Sequence, residues 1–435
     1  MNIPASFSRT FFSAAVLAGF LFSACSTDTP DPEFTLTNSL SIDREEEPVV
    51  LTRDAIIDKV GEAQINDGLL PVPYLNGKAL SSQVDDIDGD GEWDELAFLV
   101  NLDAESSQTI TLQLVEEDAY PDFTTRTNVR FGVLDDGEIT NREQLSMTAD
   151  ELPVGMFERF QMDGPAWEND KVGFRQYIDG RNGRDLYGKK SPQMALDTVG
   201  ISDEGGLEDN YHVMLPWGRD ILAVGNSLGL GGLAILRNNK PVRLGIRIDD
   251  ERSNIDTTTY ELLYEGPVRS SFRLSYEGWN TGTGKADLVN DVTIWAGQYR
   301  YTNTVHLESS NPVDTLLVGL VNIHNQTDPV VLDDATENYT AFYTHDQQGY
   351  DREWYIGMGL IFPDASYLDY RRAPDSGPGV TNSFLTMFEL EGEKSLEYEA
   401  VAGWGVSDEN FRDSSYFRNF MAEETRKVAT PVIIE

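Results

Sequence analysis

From Phe34 onward the chain reads as alternating apolar and polar positions broken by turn residues. TLTNSLSI, PVVLTR, VPYLN, ELAFLVNL and QTITLQLV carry an apolar side chain at every second position, the period of a half-buried β-strand. These segments predict an N-terminal β-sandwich unit over residues 34–117, interrupted by one short helix over Asp54–Glu62. The same pattern returns at greater length in GLAILRN, VRLGIRID, TTYELLYEGPVRSSFRLSYEGW, DLVNDVTIWAGQYRYTNTVHLE, TLLVGLVNI, WYIGMGLIF and SLEYEAVAGWG. Long strands with regularly spaced turns predict a large antiparallel sandwich over residues 118–435, the unit that holds the candidate catalytic residues named below. Only Asn410–Lys427 changes period. There Phe411, Phe417, Phe420 and Met421 fall on one helical stripe.

Charge narrows the partners. The chain has 435 residues, with 74 acidic against 33 basic side chains and a net charge of −41. Nucleic acid binding needs a basic footprint, so it is not expected. An anionic ligand in one locally basic pocket is still compatible with this balance. At the N-terminus, Arg9 precedes an apolar run from Phe11 to Phe22 that is too short for a stable membrane span. The run ends Leu21-Phe22-Ser23-Ala24-Cys25, which resembles the bacterial lipoprotein signal. It predicts a signal peptide over residues 1–24, lipidation at Cys25 and a tether over 25–33. The expected location is the bacterial cell envelope, periplasmic or on the outer-membrane surface, held to the membrane through the lipid. Cys25 is the sole cysteine, so no intrachain disulfide forms.

Two stretches carry candidate chemistry. Asp86, Asp88, Asp90, Glu92 and Asp94 alternate through an acidic loop with Gly91 at its turn. Calcium takes several hard oxygen ligands on such a loop, and the expected role is structural. Ala97 stands where an EF-hand carries its bidentate glutamate, and the flanks read as strands. The second stretch runs from Gly164 to Ser227 and interleaves aromatic, acidic, basic and amide residues. His212 is its only histidine and the leading acid–base candidate, with Asp220 to orient it and Tyr211 beside it. Arg175, Arg181 and Lys190 supply positive charge, and an arginine fork suits a carboxylate or sulfate. Arg175 and Tyr177 alternate on one strand face, and His324 at a distant strand end is a second proton carrier. Trp167 and Trp217 are candidate sugar platforms, while Glu168, Asn169 and Asn182 are candidate readers of sugar hydroxyls. Gly225-Asn226-Ser227-Leu228-Gly229 runs into a strand-like segment rather than a helix, so Ser227 is not read as a nucleophile.

EGPVRSSF followed by WAGQYRY resembles the central strands of galactose-mutarotase-like β-supersandwich domains. QVDDIDGDGEWDELAFLV, GPAWENDKVGFRQYIDGRNGRDLYGKK, HVMLPWGRDILAVGNSLGLGG and EYEAVAGWG resemble a family of secreted or lipid-anchored bacterial proteins. That family is a domain of unknown function encoded among polysaccharide-utilisation genes. One of its members is described as an oligosaccharide dehydratase in degradation of ulvan, a sulfated algal polysaccharide. The resemblance implies loss of water from a terminal uronic acid, leaving an unsaturated uronyl residue, with acidic oligosaccharides as partners and no catalytic cofactor. Such an elimination needs a base, a neutraliser for the carboxylate and an acid for the departing hydroxyl. His212 or Tyr211 serves as base or acid. Arg175, Arg181 or Lys190 serves as neutraliser, and Tyr177 or His324 as partner acid. A polysaccharide lyase would use the same parts. A hydrolase pairing Glu168 with Asp220 or Asp179, and a non-catalytic surface glycan-binding lipoprotein, are the alternatives.

Overall fold

Two large strand layers enclose the main core. In the computed structural model, which describes residues 31–65, 68–152, 159–248 and 252–435, one layer is a nine-stranded antiparallel sheet. Its middle strands include Arg269–Asn280, Lys285–Trp295, Arg300–Ser309 and Ser395–Trp404. In Lys285–Trp295 the side chains of Ala286, Leu288, Asn290, Val292 and Ile294 are buried and their neighbours face outward, as a strand covered on one face requires. Opposite lie two five-stranded sheets that meet where Arg184 pairs with Gly229. One is built on Leu230–Arg237, Val313–Val321 and Ser383–Glu391. The other consists of Thr127–Arg130, Ala166–Asn169, Val172–Gln176, Arg184–Lys189 and Gly218–Asp220. A single apolar cluster running from Phe174 and Leu233 to Phe272 and Val292 fills the space between the layers. The architecture is mainly β and sandwich-like, as the strand periodicity implies.

Residues 34–117 have their own core around Leu36, Leu51, Leu96, Phe98 and Leu112. Residues 32–435 nevertheless form one compact unit, because Asp85 and Gln83 bind Arg269 and its carbonyl across the junction. The expected helix over Asp54–Glu62 is two short ones, Arg53–Val60 and Glu62–Ile65, parted at Gly61 with φ 87°. The expected C-terminal helix runs over Ser414–Ala429, capped when the Asp413 carboxylate accepts the Tyr416 N–H at 2.8 Å. Its Phe417 and Met421 press on the nine-stranded sheet at Gly357 and Gly359. A Cβ at Gly357 would stand 2.2 Å from the Phe417 ring, so this seat needs glycine. Buried Arg44 donates to the Thr430 carbonyl at the helix end, and Ile433–Ile434 pairs with Glu33–Asn38. Cys25 and the segment before it lie outside the described residues.

Candidate functional site

Strand alternation divides the small sheet around Val172–Gln176 into two unlike faces. Trp167, Phe174 and Leu186 point into the sandwich core, and Arg184 joins them by binding Gln176, Asn290 and Asn303. The opposite face carries Glu168, Arg175, Asp185, Tyr187, Lys189 and Asp220. Residues 190–217 cross that face and bury it, with Ala195, Leu196, Val199 and Tyr211 packed on Met162 and Tyr187. A sheet face this polar under a cover places charge where water does not reach, so each group must find a partner.

Arg175 is the hub. It is 1 % exposed and stands directly across from Asp185 in the neighbouring strand. Its Nη2 donates to Asp185, to Asp220 Oδ2 at 2.8 Å and to the Tyr177 hydroxyl at 2.6 Å. Its Nη1 donates to the Tyr211 hydroxyl at 2.9 Å and the Met162 carbonyl at 3.2 Å, and lies 3.7 Å from Asp163. The Tyr177 hydroxyl in turn donates to Asp185 at 2.7 Å. Met162 and Asp163 supply these contacts from a turn with φ of 56° and 59°, a left-handed backbone that side-chain-bearing residues adopt at a cost. Three buried carboxyls therefore share one guanidinium. Burial first, and then the Asp185 charge beside it, push the Asp220 carboxyl well above its usual range.

His212 connects this network to solvent. Its side chain is 36 % exposed, with Nε2 3.0 Å from Asp209 and Nδ1 3.7 Å from Asp220 Oδ2. The Asp209 contact makes Nε2 the N–H donor and leaves Nδ1 basic, facing Asp220. Burial lowers the His212 pKa, with the Asp209 charge opposing the shift. The Tyr350 ring meets the imidazole edge-on at 5.6 Å. Burial and the Asp220 charge raise the Tyr350 pKa, keeping the phenol protonated.

Several expected roles change. Arg175 is buried, and both of its Nη groups are held by protein acceptors, so it is no open clamp for a substrate carboxylate. Arg181 is likewise committed to Asp179, at 2.7 Å, with its guanidinium on the Tyr177 ring. Trp167 is wholly buried among Phe174, Phe272 and Tyr301, so no sugar stacks on it. Glu168 binds Lys189 and accepts the Ala195 and Leu196 N–H groups, which ties down the covering segment and leaves it no hydrolytic role. Asn169 holds the Trp295 and Gln298 carbonyls, and Asn182, at φ 47°, accepts from Tyr276 in a turn. Both are structural. Lys190 is exposed, and Trp217 is half-buried against the Tyr187 ring at 5.8 Å. Tyr211 is enclosed and serves as an acceptor for Arg175. His324 lies after strand Val313–Val321, and its neighbour Asn325 donates to Gln348 near Tyr350. In the acidic loop, Asp86, Asp88 and Asp94 bring carboxylate oxygens within 4.8 Å of one another. Asp90 instead accepts the Glu92 N–H, and Glu92 turns to Arg53.

A family model described as domain of unknown function (DUF4861) matches residues 36–434, nearly the whole described chain. This chain belongs to the DUF4861 family. A similar relative is "Uncharacterized protein P7" of Formosa agariphila, 22% identical, with 96% of each chain covered. Solved structures to which this chain is similar include a glycosyl hydrolase family 38 protein from Enterococcus faecalis and an alpha-mannosidase from Enterococcus faecalis V583. Each shows 9% identity and a TM-score of 0.47 over 93% of this chain. The chain spans about half the length of those structures, 47% and 46%.

Three residues of this DUF4861 chain gain weight from the structure. Asp185 alternates with Tyr187 in GRDLYGKK, so its face was legible, but its pairing with Arg175 depends on strand register. Tyr350 follows the polar run His345-Asp346-Gln347-Gln348 on a short turn, far along the chain from His212. Arg219 adjoins Asp220, and strand alternation sends it to the other side.

Proposed function

We propose that this chain is a carbohydrate-active eliminating enzyme that removes water from the terminal uronic acid of ulvan-type oligosaccharides. The observation that carries the reading is the half-exposed His212 ring set 3.7 Å from the buried Asp220 carboxyl and beside the Tyr350 ring. The motif resemblance supplies the substrate class. In the proposed step, the neutral His212 imidazole takes the proton from the sugar carbon beside the carboxylate. The carbon–carbon double bond forms as the neighbouring carbon–oxygen bond breaks. The hydroxyl leaves as water with the Tyr350 proton, and transfer from His212 back to Tyr350 restores both groups. Arg175 and Asp185 hold Asp220 in place beneath the imidazole. The steps use side chains alone. A product lighter than the substrate by one water and bearing a conjugated alkene is the expected outcome. Two shorter sugars would mean chain cleavage, and unchanged sugar with retained binding would mean a glycan-binding protein.

Neutral His212 is the active form. Because its pKa is lowered from the ordinary 6.5, the base persists below that pH, and the acid limb of kcat/KM is expected below pH 6.5. A limb centred above 6.5 contradicts His212 as base.

We also propose that calcium binds Asp86, Asp88 and Asp94 in a structural role. Saturating calcium is then expected to raise Tm, and Asp88→Asn to abolish the rise. Equal Tm in calcium and in chelator refutes this.

A further inference from the structure

We infer that Arg219 is the residue that receives the substrate's carboxylate. This rests on the elimination reading above, which needs a cation for that group and which Arg175 and Arg181 no longer supply. The strand Gly218–Asp220 fixes the Arg219 backbone, with Arg219 opposite Gly188. While Asp220 turns inward to Arg175, Arg219 turns the other way and is half-exposed. Its Nε donates to the Asp220 carbonyl at 2.8 Å, and its guanidinium stacks on Trp354 at 4.8 Å. Trp354 is itself braced edge-on by buried Trp404 at 5.9 Å. The guanidinium is thus oriented from two sides, with its Nη edge uncommitted. Among the described residues no carboxylate stands within ion-pair distance of it, in a chain of net charge −41.

Its position fits the reaction. The Arg219 guanidinium lies 5.8 Å from the Tyr350 ring, and the His212 ring lies 5.6 Å from the same ring. One sugar ring at Tyr350 can therefore present its carboxylate to Arg219 and its acidic C–H to His212. A guanidinium fork gives two parallel donors to a planar carboxylate, and lysine cannot copy that geometry. The same cation steadies the charge that builds on the carboxylate as the proton leaves.

The test uses the full chain and calorimetry with a uronate-ended sulfated oligosaccharide, its carboxyl-reduced form and its desulfated form. Arg219→Gln is expected to weaken binding of the parent sugar about tenfold or more. Arg219→Lys is expected to restore only part of that loss. The effect of Arg219→Gln should vanish on the carboxyl-reduced sugar and persist on the desulfated one. Equal binding of the parent sugar by Arg219→Gln and the unaltered chain overturns the proposal. So does an effect that follows the sulfate instead. If His212→Ala keeps full activity while Arg219→Gln still loses carboxylate-dependent binding, Arg219 stands and the elimination mechanism fails. If His212→Ala is inactive and Arg219→Gln binds normally, the reverse holds.

Discussion

Replacing Arg175 with alanine is expected to destabilise the folded chain by about 3–5 kcal/mol, the cost of leaving buried charge without its partner. Asp163, Asp185 and Asp220 all face that guanidinium, at exposures of 4 %, 0 % and 0 %. Arg175→Lys is no remedy, because one ammonium cannot reach both the Asp185–Asp220 side and the Tyr211–Met162 side. The sign of the pH dependence follows from Asp220. Its folded pKa is raised, so its contribution is fully present below the ordinary carboxylate range and is lost as pH rises. Removing Arg175 strengthens that trend. Urea unfolding should therefore show a larger deficit at pH 8 than at pH 5. A deficit under about 1 kcal/mol at both would mean the network is not held by this cation.

His212→Ala is expected to lower kcat by about 10²–10⁴-fold while leaving the unfolding midpoint nearly unchanged. The side chain is half-exposed, and its protein contacts are with Asp209, Asp220 and the rings of Tyr211 and Tyr350. Surface positions of this kind contribute little to stability, within about 0.5 kcal/mol. The split between activity and stability separates a proton carrier from a structural histidine. His345 is the useful contrast: its Nε2 is 2.8 Å from the Phe411 carbonyl and its ring stacks on Phe417, so its loss should show in the unfolding midpoint.

The strand pattern was legible because each large strand covers one face of a core. Lys285–Trp295 shows this in its burial, and the helix stripe at Phe417 and Met421 shows it at the other period. The density of polar and aromatic residues between Gly164 and Ser227 was legible as well. What each residue does there was not. Alternation shows that Trp167 and Glu168 face opposite sides, but it does not show that both sides are covered. The cover over Glu168, Arg175 and Tyr187 comes from residues 190–217, whose irregular sequence carries no period. Convergence at His212 is also non-local. Asp209 and Asp220 are near it in sequence, whereas Tyr350 arrives only because its N–H reaches the Ile221 carbonyl at 3.3 Å. The commitment of the Arg175 Nη groups likewise depends on strand register, which sets Asp185 opposite it.

The central claim is elimination by His212 on a uronate sugar. It is tested most directly by following alkene absorbance and product mass together, with the unaltered chain and His212→Ala on one ulvan oligosaccharide. The account predicts rising absorbance and loss of one water for the unaltered chain, and neither for His212→Ala. Equal alkene formation by both chains, or no change of mass with either, would contradict it.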